Sequence, residues 1–244
     1  VNCNVKEQST PLLNKRPCHK DVGSEKFYGR RMGRPLRKVS QDLIEQFLPS
    51  VTFDKTLIQD PHADFDQDAE ELWLEIGFGG GEHLCGQARA NPQVNFLGAE
   101  AFMNGIALML RELLETGIEN VRLWPEDVRP LLDSLPKESL SRVFLLFPDP
   151  WPKMRHHKRR FVNPKNLERL AYLMKPGAEF RLATDHSDYL EWMVEHMKAS
   201  KDFTAQFDWD NLPTTRPEDW IPTRYETKAL SQGVTCTYMT FKRL

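Results

Sequence analysis

The segment Glu75-Ile76-Gly77-Phe78-Gly79-Gly80-Gly81-Glu82 follows a short apolar run and concentrates glycines where a chain can turn sharply and let a ligand approach closely. A dinucleotide fingerprint would need a glycine at position 82, but Glu82 stands there and would repel a pyrophosphate seated at a helix N-terminus. No Gly-Lys-Ser/Thr follows, so a P-loop is excluded. The plainer reading is a tight strand-to-helix turn. The chemical one is a loop for a phosphate-free nucleoside, with Gly77 and Gly79 against it.

Acids follow three successive strand candidates. Glu75 ends the first and can face the positive charge of a sulfonium or an amino group. Glu100 ends the second and can accept from both hydroxyls of a ribose. Glu126 and Asp127 follow the third, and one of them can receive an adenine amino group. Together these acids form the pattern of an S-adenosylmethionine site. Each alone could be a solvated loop residue.

A further segment, Phe147-Pro148-Asp149-Pro150-Trp151-Pro152-Lys153, carries three alternate prolines. They fix backbone angles and bias the preceding residues to extended forms, giving a stiff loop that displays Asp149 and Trp151. A carboxylate and an aromatic plate suit a flat base with N–H donors; the structural alternative is a rigid crossover with a packed Trp. The basic run Lys153-Met154-Arg155-His156-His157-Lys158-Arg159-Arg160 follows at once and is suited to phosphates. The His156-His157 pair lacks further ligands at metal-binding spacing, so no metal is expected.

These loops need elements to hold them. Leu72–Ile76, Val94–Ala99, Val121–Trp124, Val143–Phe147 and Phe180–Ala183 read as strands, and Thr235–Phe241 alternates as a late strand. Helical patterns lie between them: from about Glu82, over Phe102–Leu114, around Leu167, Leu170, Ala171 and Met174, and over Tyr189–Met197. Lys175-Pro176-Gly177 is expected to end the third of these. Ser40 is expected to N-cap a short helix that Pro49 stops. Alternating strands and helices imply an α/β fold with a mostly parallel sheet, whose ligands sit beyond the carboxyl ends of the strands.

The chain has 244 residues and a formal net charge of -2, which taken whole speaks against a nucleic-acid partner. The charge is segregated. Residues 1–38 carry +7 and residues 153–160 carry +5, leaving -14 for the rest. The division expected is a mobile basic arm over 1–38 and a catalytic domain over 39–244. The apolar runs are far short of a bilayer span, and no apolar signal region opens the chain, which begins at Val1 and reads as trimmed. The four cysteines have no CxxC spacing and suit a reduced, cytoplasmic protein; a Cys3–Cys18 disulfide is the one pairing considered. The residues assign no oligomeric state.

LEIGFGGGEH, the acid at Glu100, FPDPWPKMRHHKRR, ATDH and the late TRYE together resemble the bacterial tRNA (guanine-N7-)-methyltransferase family over roughly residues 27–244. The resemblance implies a Rossmann-like class I methyltransferase fold, with an antiparallel late strand and helices on both faces. It implies S-adenosylmethionine as cofactor and guanine 46 of the tRNA variable loop as acceptor. By it, Glu75, Glu100, Asp127 and Asp149 are cofactor-site positions. Lys153, Asp185, Thr223, Arg224, Tyr225 and Glu226 meet the substrate, and Asp149 is the catalytic position.

On that reading, Asp149, Asp185 or Glu226 pairs with the guanine N1–H and N2–H, and Trp151 or Tyr225 stacks on the base. Arg30, Arg31, Arg34, Arg155, Lys158, Arg159 and Arg160 hold the RNA backbone. The rivals are a methyltransferase for exocyclic amino groups, since Asp149-Pro150 is close to an acid-Pro-Pro-aromatic loop, and an RNA-binding module without catalysis. A dinucleotide oxidoreductase is disfavoured by Glu82.

Overall fold

The computed structural model describes residues 27–244. Two short helices, α1 (Lys38–Gln46) and α2 (Leu48–Val51), precede the sheet. Then come β1 (Leu72–Ile76), α3 (Glu82–Ala90), β2 (Asn95–Ala99), α4 (Met103–Thr116), β3 (Val121–Trp124) and α5 (Val128–Ser134). The second half holds β4 (Leu140–Leu146), α6 (Pro164–Leu173), β5 (Met174–Thr184), α7 (Ser187–Ala199), β6 (Phe203–Ala205), α8 (Arg224–Ser231) and β7 (Thr237–Arg243). The strands form one seven-stranded sheet in the order β3-β2-β1-β4-β5-β7-β6. β1 to β5 run parallel, and β7 pairs antiparallel with both β5 and β6.

Strand alternation divides the core. Leu72, Leu74 and Ile76 of β1 face a layer containing α5, α6 and α7, while Trp73 faces a layer containing α3 and α4. Val143 and Leu145 of β4 join the first layer, and Phe144 and Leu146 the second. Both faces are covered, which is why the central strands read as continuous apolar runs. The chain order reverses between β1 and β4, so their carboxyl ends open a crevice. The glycine loop and the proline loop leave these two strands.

The structure departs from the sequence expectations at several places. α1 begins at Lys38 with Arg37 as N-cap, and Ser40 is buried inside it. Pro49 lies in the first turn of α2 rather than ending a helix, because a proline needs no N–H partner there. Lys175-Pro176-Gly177 does follow the end of α6, but the chain enters β5 directly at Met174. Gly177, at φ +77°, and a register shift opposite Leu140/Arg142 absorb the irregularity. α5, α8 and β6 were not anticipated.

Residues 27–37, expected to belong to a mobile arm, are docked on α4. Met103 N donates to Arg31 O at 2.9 Å, Gly33 N to Asn104 Oδ1 at 2.8 Å, and Asn104 Nδ2 to Arg34 O at 2.9 Å. The Cys3–Cys18 pairing and the arm up to residue 26 lie outside the described residues. Cys85 and Cys236 are buried free thiols. Among the described residues no helix is long and apolar enough to cross a membrane, and no cluster of side chains is suited to a metal ion.

Candidate active site

A cavity of about 790 Å³ opens over the carboxyl ends of the strands. Gly77 and Gly79 form one wall, Glu100 and Phe102 the next, and Glu126 to Arg129 a third. Phe147 to Trp151 and Lys158 to Phe161 line the cavity as well. Phe27 to Arg30 and Tyr225 complete the rim.

The glycine loop needs its glycines. Gly77, Gly79 and Gly81 have φ of +74°, +58° and +86°, a region that other residues rarely enter. Gly81 is the N-cap of α3. Gly79 N donates to Glu100 Oε2 at 2.9 Å, and Phe102 N donates to Glu100 Oε1 at 2.8 Å. The Ala101 N–H also faces this carboxylate, and two oxygens with about four acceptor sites still leave one for a ligand hydroxyl. Burial raises its pKa above the ordinary value, and nearby Asp149 adds to the rise.

The two acids after β3 are differently placed. Asp127 is the N-cap of α5, accepts from Arg129 N at 3.1 Å, and is gripped by the Arg129 guanidinium at 2.9 Å. Glu126 pairs with Lys55 at 3.1 Å at the edge of the cavity. Both line the cavity, but the Asp127 carboxylate is committed to Arg129, whose role the sequence analysis missed.

The proline loop is strained where it turns. Phe147 and Trp151 have φ of +50° and +46°, unusual for bulky residues. Phe147 therefore leaves the expected strand, which ends at Leu146. The loop presents Asp149 at the cavity mouth, and among the described residues nothing donates a hydrogen bond to its carboxylate. Desolvation raises the Asp149 pKa, and the Arg30 charge opposes the rise. Trp151 is not a bare plate: the Arg159 guanidinium lies 4.9 Å from its ring centre and 4.3 Å from that of Tyr28.

Several of the expected site residues are buried with protein partners of their own. Glu75 is buried, does not line the cavity, and lies 2.7 Å from His83 Nδ1. Glu226 is fully buried: Arg216 Nε and Tyr238 Oη donate to Oε1, while Trp220 Nε1 and Thr223 N donate to Oε2. Its acceptor sites are filled, so it cannot pair with a guanine. Desolvation opposes its charge, yet the bonds from Tyr238, Trp220, Arg216 and Thr223 together hold its pKa below the ordinary value.

Arg160 is also buried. It donates to Pro150 O at 2.9 Å, pairs with Asp188 and packs against Tyr189 and Trp192. It braces the proline loop rather than meeting RNA.

The remaining assignments fall on the rim or beyond it. Lys158, Arg159, Arg30 and Tyr225 line the cavity. Lys153, Arg155 and Asp185 are exposed outside its wall. The basic run forms a short 3-10 helix from Met154 to Arg159. Arg31 and Arg34 are exposed and engage α4 through their backbone carbonyls. Thr223 caps α8 in a capping box with Glu226. The Thr-x-x-Glu spacing is the signal for α8 in the sequence. Arg224 pairs with Glu82, and Tyr225 stands beside Gly79, its Cε2 3.5 Å from where a Cβ on that glycine would lie.

Comparison with known proteins settles the family. A family model described as "Putative methyltransferase" matches residues 69–239. A curated protein of Rhodospirillum rubrum, "tRNA (guanine-N(7)-)-methyltransferase", is 45% identical over 92% of this chain and 90% of its own. The chain belongs to the tRNA (guanine-N(7)-)-methyltransferase family. A Ruegeria pomeroyi member of that family is also 45% identical, over 89% of this chain and 94% of its own.

Solved structures agree on the fold this family member adopts. The 16S rRNA methyltransferase KamB superposes with a TM-score of 0.54 at 16% identity, covering 72% of this chain and 88% of that one. TrmN from Thermus thermophilus superposes at 0.51 and 15% identity, covering 82% and 53%. The chain therefore has the class I methyltransferase fold that its strand and helix order implied.

Proposed function

We propose that this protein transfers a methyl group from S-adenosylmethionine to N7 of guanine 46 in the variable loop of tRNA. The observation that carries the reading is the convergence of Glu100, the glycine loop and Asp149 on one cavity at the β1/β4 crevice. The residues fit the cofactor. Gly77 has nothing within 4 Å of an added Cβ, which leaves room for a ligand beside the backbone. The wall offers acceptors for hydroxyl and amino groups and no phosphate cradle. Glu100 would hold the ribose, and the segment from Glu126 to Val128 would face the adenine. Bound there, S-adenosylmethionine supplies an electrophilic methyl group on a sulfonium.

Guanine N7 carries a lone pair and no proton, so no base has to remove one. The protein's work is to orient N7 towards the methyl group and to exclude water. Asp149 at the mouth holds negative charge where the methylated base becomes positive. It is also the remaining carboxylate at the cavity mouth for the guanine N1–H and N2–H, since Glu226 is occupied and Asp185 lies outside the wall. The base turns outward to reach the cavity, with Tyr225 and Trp151 as flanking rings. Arg30, Arg155, Lys158 and Arg159, with the basic stretch up to residue 38, meet the RNA backbone. The compartment proposed for this action is the cytoplasm.

The test is one incubation with labelled S-adenosylmethionine and bulk tRNA lacking the modification, followed by nucleoside analysis. Labelled 7-methylguanosine is expected. An N2- or N6-methylated nucleoside, or no label in tRNA, would overturn the reading.

A further inference from the structure

Glu75 and Glu226, two buried carboxylates with protein partners, are connected through those partners. His83 lies 2.7 Å from Glu75 through Nδ1, and its ring centre is 5.5 Å from that of Trp220. Trp220 Nε1 donates to Glu226 Oε2 at 2.9 Å. On its other side His83 Nε2 is 3.5 Å from Gln87 Nε2, and Gln87 donates to Asp219 O at 2.6 Å. Asp219 is itself held by the Arg181 guanidinium at 2.8 Å. A carboxylate oxygen only accepts, so the ring nitrogen facing Glu75 is the one that carries a proton. A buried connection thus runs from β1, beneath the glycine loop, to the N-terminal turn of α8.

That turn carries Tyr225, which stands against Gly79 at the cavity wall. The imidazole is a rigid plane whose orientation is set by Glu75, so the surface it offers Trp220 is set too. Glu226 transmits the position of Trp220 to α8 because it binds Trp220 and caps the helix at once.

We propose that His83 is a positioning residue for methyl transfer: its ring sets Trp220 and, through Glu226, the placement of Tyr225 at the cavity. The proposal rests on the reading of tRNA guanine as acceptor, since Tyr225 flanks the incoming base.

Two variants of the full-length protein test it. His83→Asn keeps an N–H for Glu75 but removes the ring from Trp220. Trp220→Phe keeps a ring beside His83 but removes the donor to Glu226. In both, kcat is expected to fall at least about tenfold and KM for tRNA to rise. Affinity for S-adenosylhomocysteine, read by calorimetry, is expected to stay within about threefold, because the glycine loop and Glu100 are untouched.

Hydrogen exchange is expected to quicken over residues 223–231 and not in β1. This arm decides the proposal even if the unaltered protein methylates no tRNA, an outcome that would overturn the functional reading instead. Wild-type exchange across 223–231 in both variants overturns the positioning role. So does a loss of S-adenosylhomocysteine affinity equal to the loss of kcat, which would place His83's effect on the glycine loop.

Discussion

Gly79 donates its backbone N–H to the carboxylate of Glu100, 2.9 Å across the gap between the ends of β1 and β2. The side chain proposed to hold the cofactor also fastens the loop that the cofactor must approach. Glu100→Gln replaces one acceptor oxygen with an amide that faces a backbone donor. Affinity for S-adenosylhomocysteine is expected to fall about 10- to 100-fold, the worth of a hydrogen bond to a charged group. Titration calorimetry checks this, and unaltered affinity would remove Glu100 from the cofactor site.

Asp149 is placed to act on charge. Asp149→Ala is expected to lower kcat by about 100-fold or more while the melting temperature holds, as for other groups that stabilise developing charge. Its pKa is raised above the usual aspartate value of 3.8, so the carboxylate protonates, and activity falls, at a higher pH than an isolated aspartate would give. Arg30 opposes that rise. Arg30→Gln is therefore expected to move the acid limb of kcat/KM to still higher pH. A limb that stays in place would separate Arg30 from Asp149.

The basic run divides by burial. Arg155 is exposed, whereas Arg160 is buried against Pro150 O, Tyr189 and Trp192. Arg155→Ala is expected to leave the melting temperature unchanged and to reduce the salt slope of tRNA binding by about 1. Arg160→Ala is expected to lower the melting temperature by about 5 °C or more, since it removes a buried brace of the proline loop. Equal behaviour of the two in calorimetric melts and salt titrations would contradict this division.

Glu226 links stability to pH. Its folded pKa lies below the usual glutamate value of 4.5, so the folded state binds fewer protons there than the unfolded state. Its contribution is present above about pH 4.5 and is lost as pH falls through the lower folded value. Glu226→Gln is expected to be less stable at neutral pH and to lose less stability than the parent between pH 4.5 and the acid limit. Urea melts across that range measure it; parallel curves for the two proteins would deny the linkage.

The architecture was legible in the sequence, and so was the end of the sheet at which the cavity opens. Apolar runs at Leu72–Ile76 and Val143–Phe147, each followed by Gly- or Pro-rich turns, are local signals that need no distant partner to be legible. The same holds for Glu100 and Asp149, which follow strands and therefore stand at their carboxyl ends. Family membership, too, was visible in the FPDPWPK and TRYE segments. Tertiary structure decided which charged residues are available. Glu75, Glu226 and Arg160 look like ligand contacts in one dimension, but His83, Trp220, Tyr238 and Asp188 reach them from elsewhere in the chain. A buried charge must be paired, and the partner's identity is set by which elements pack together, so spacing along the chain could not distinguish a ligand's carboxylate from a fold's. The docking of residues 27–37 on α4 is of the same kind, because it depends on Asn104, some seventy residues away.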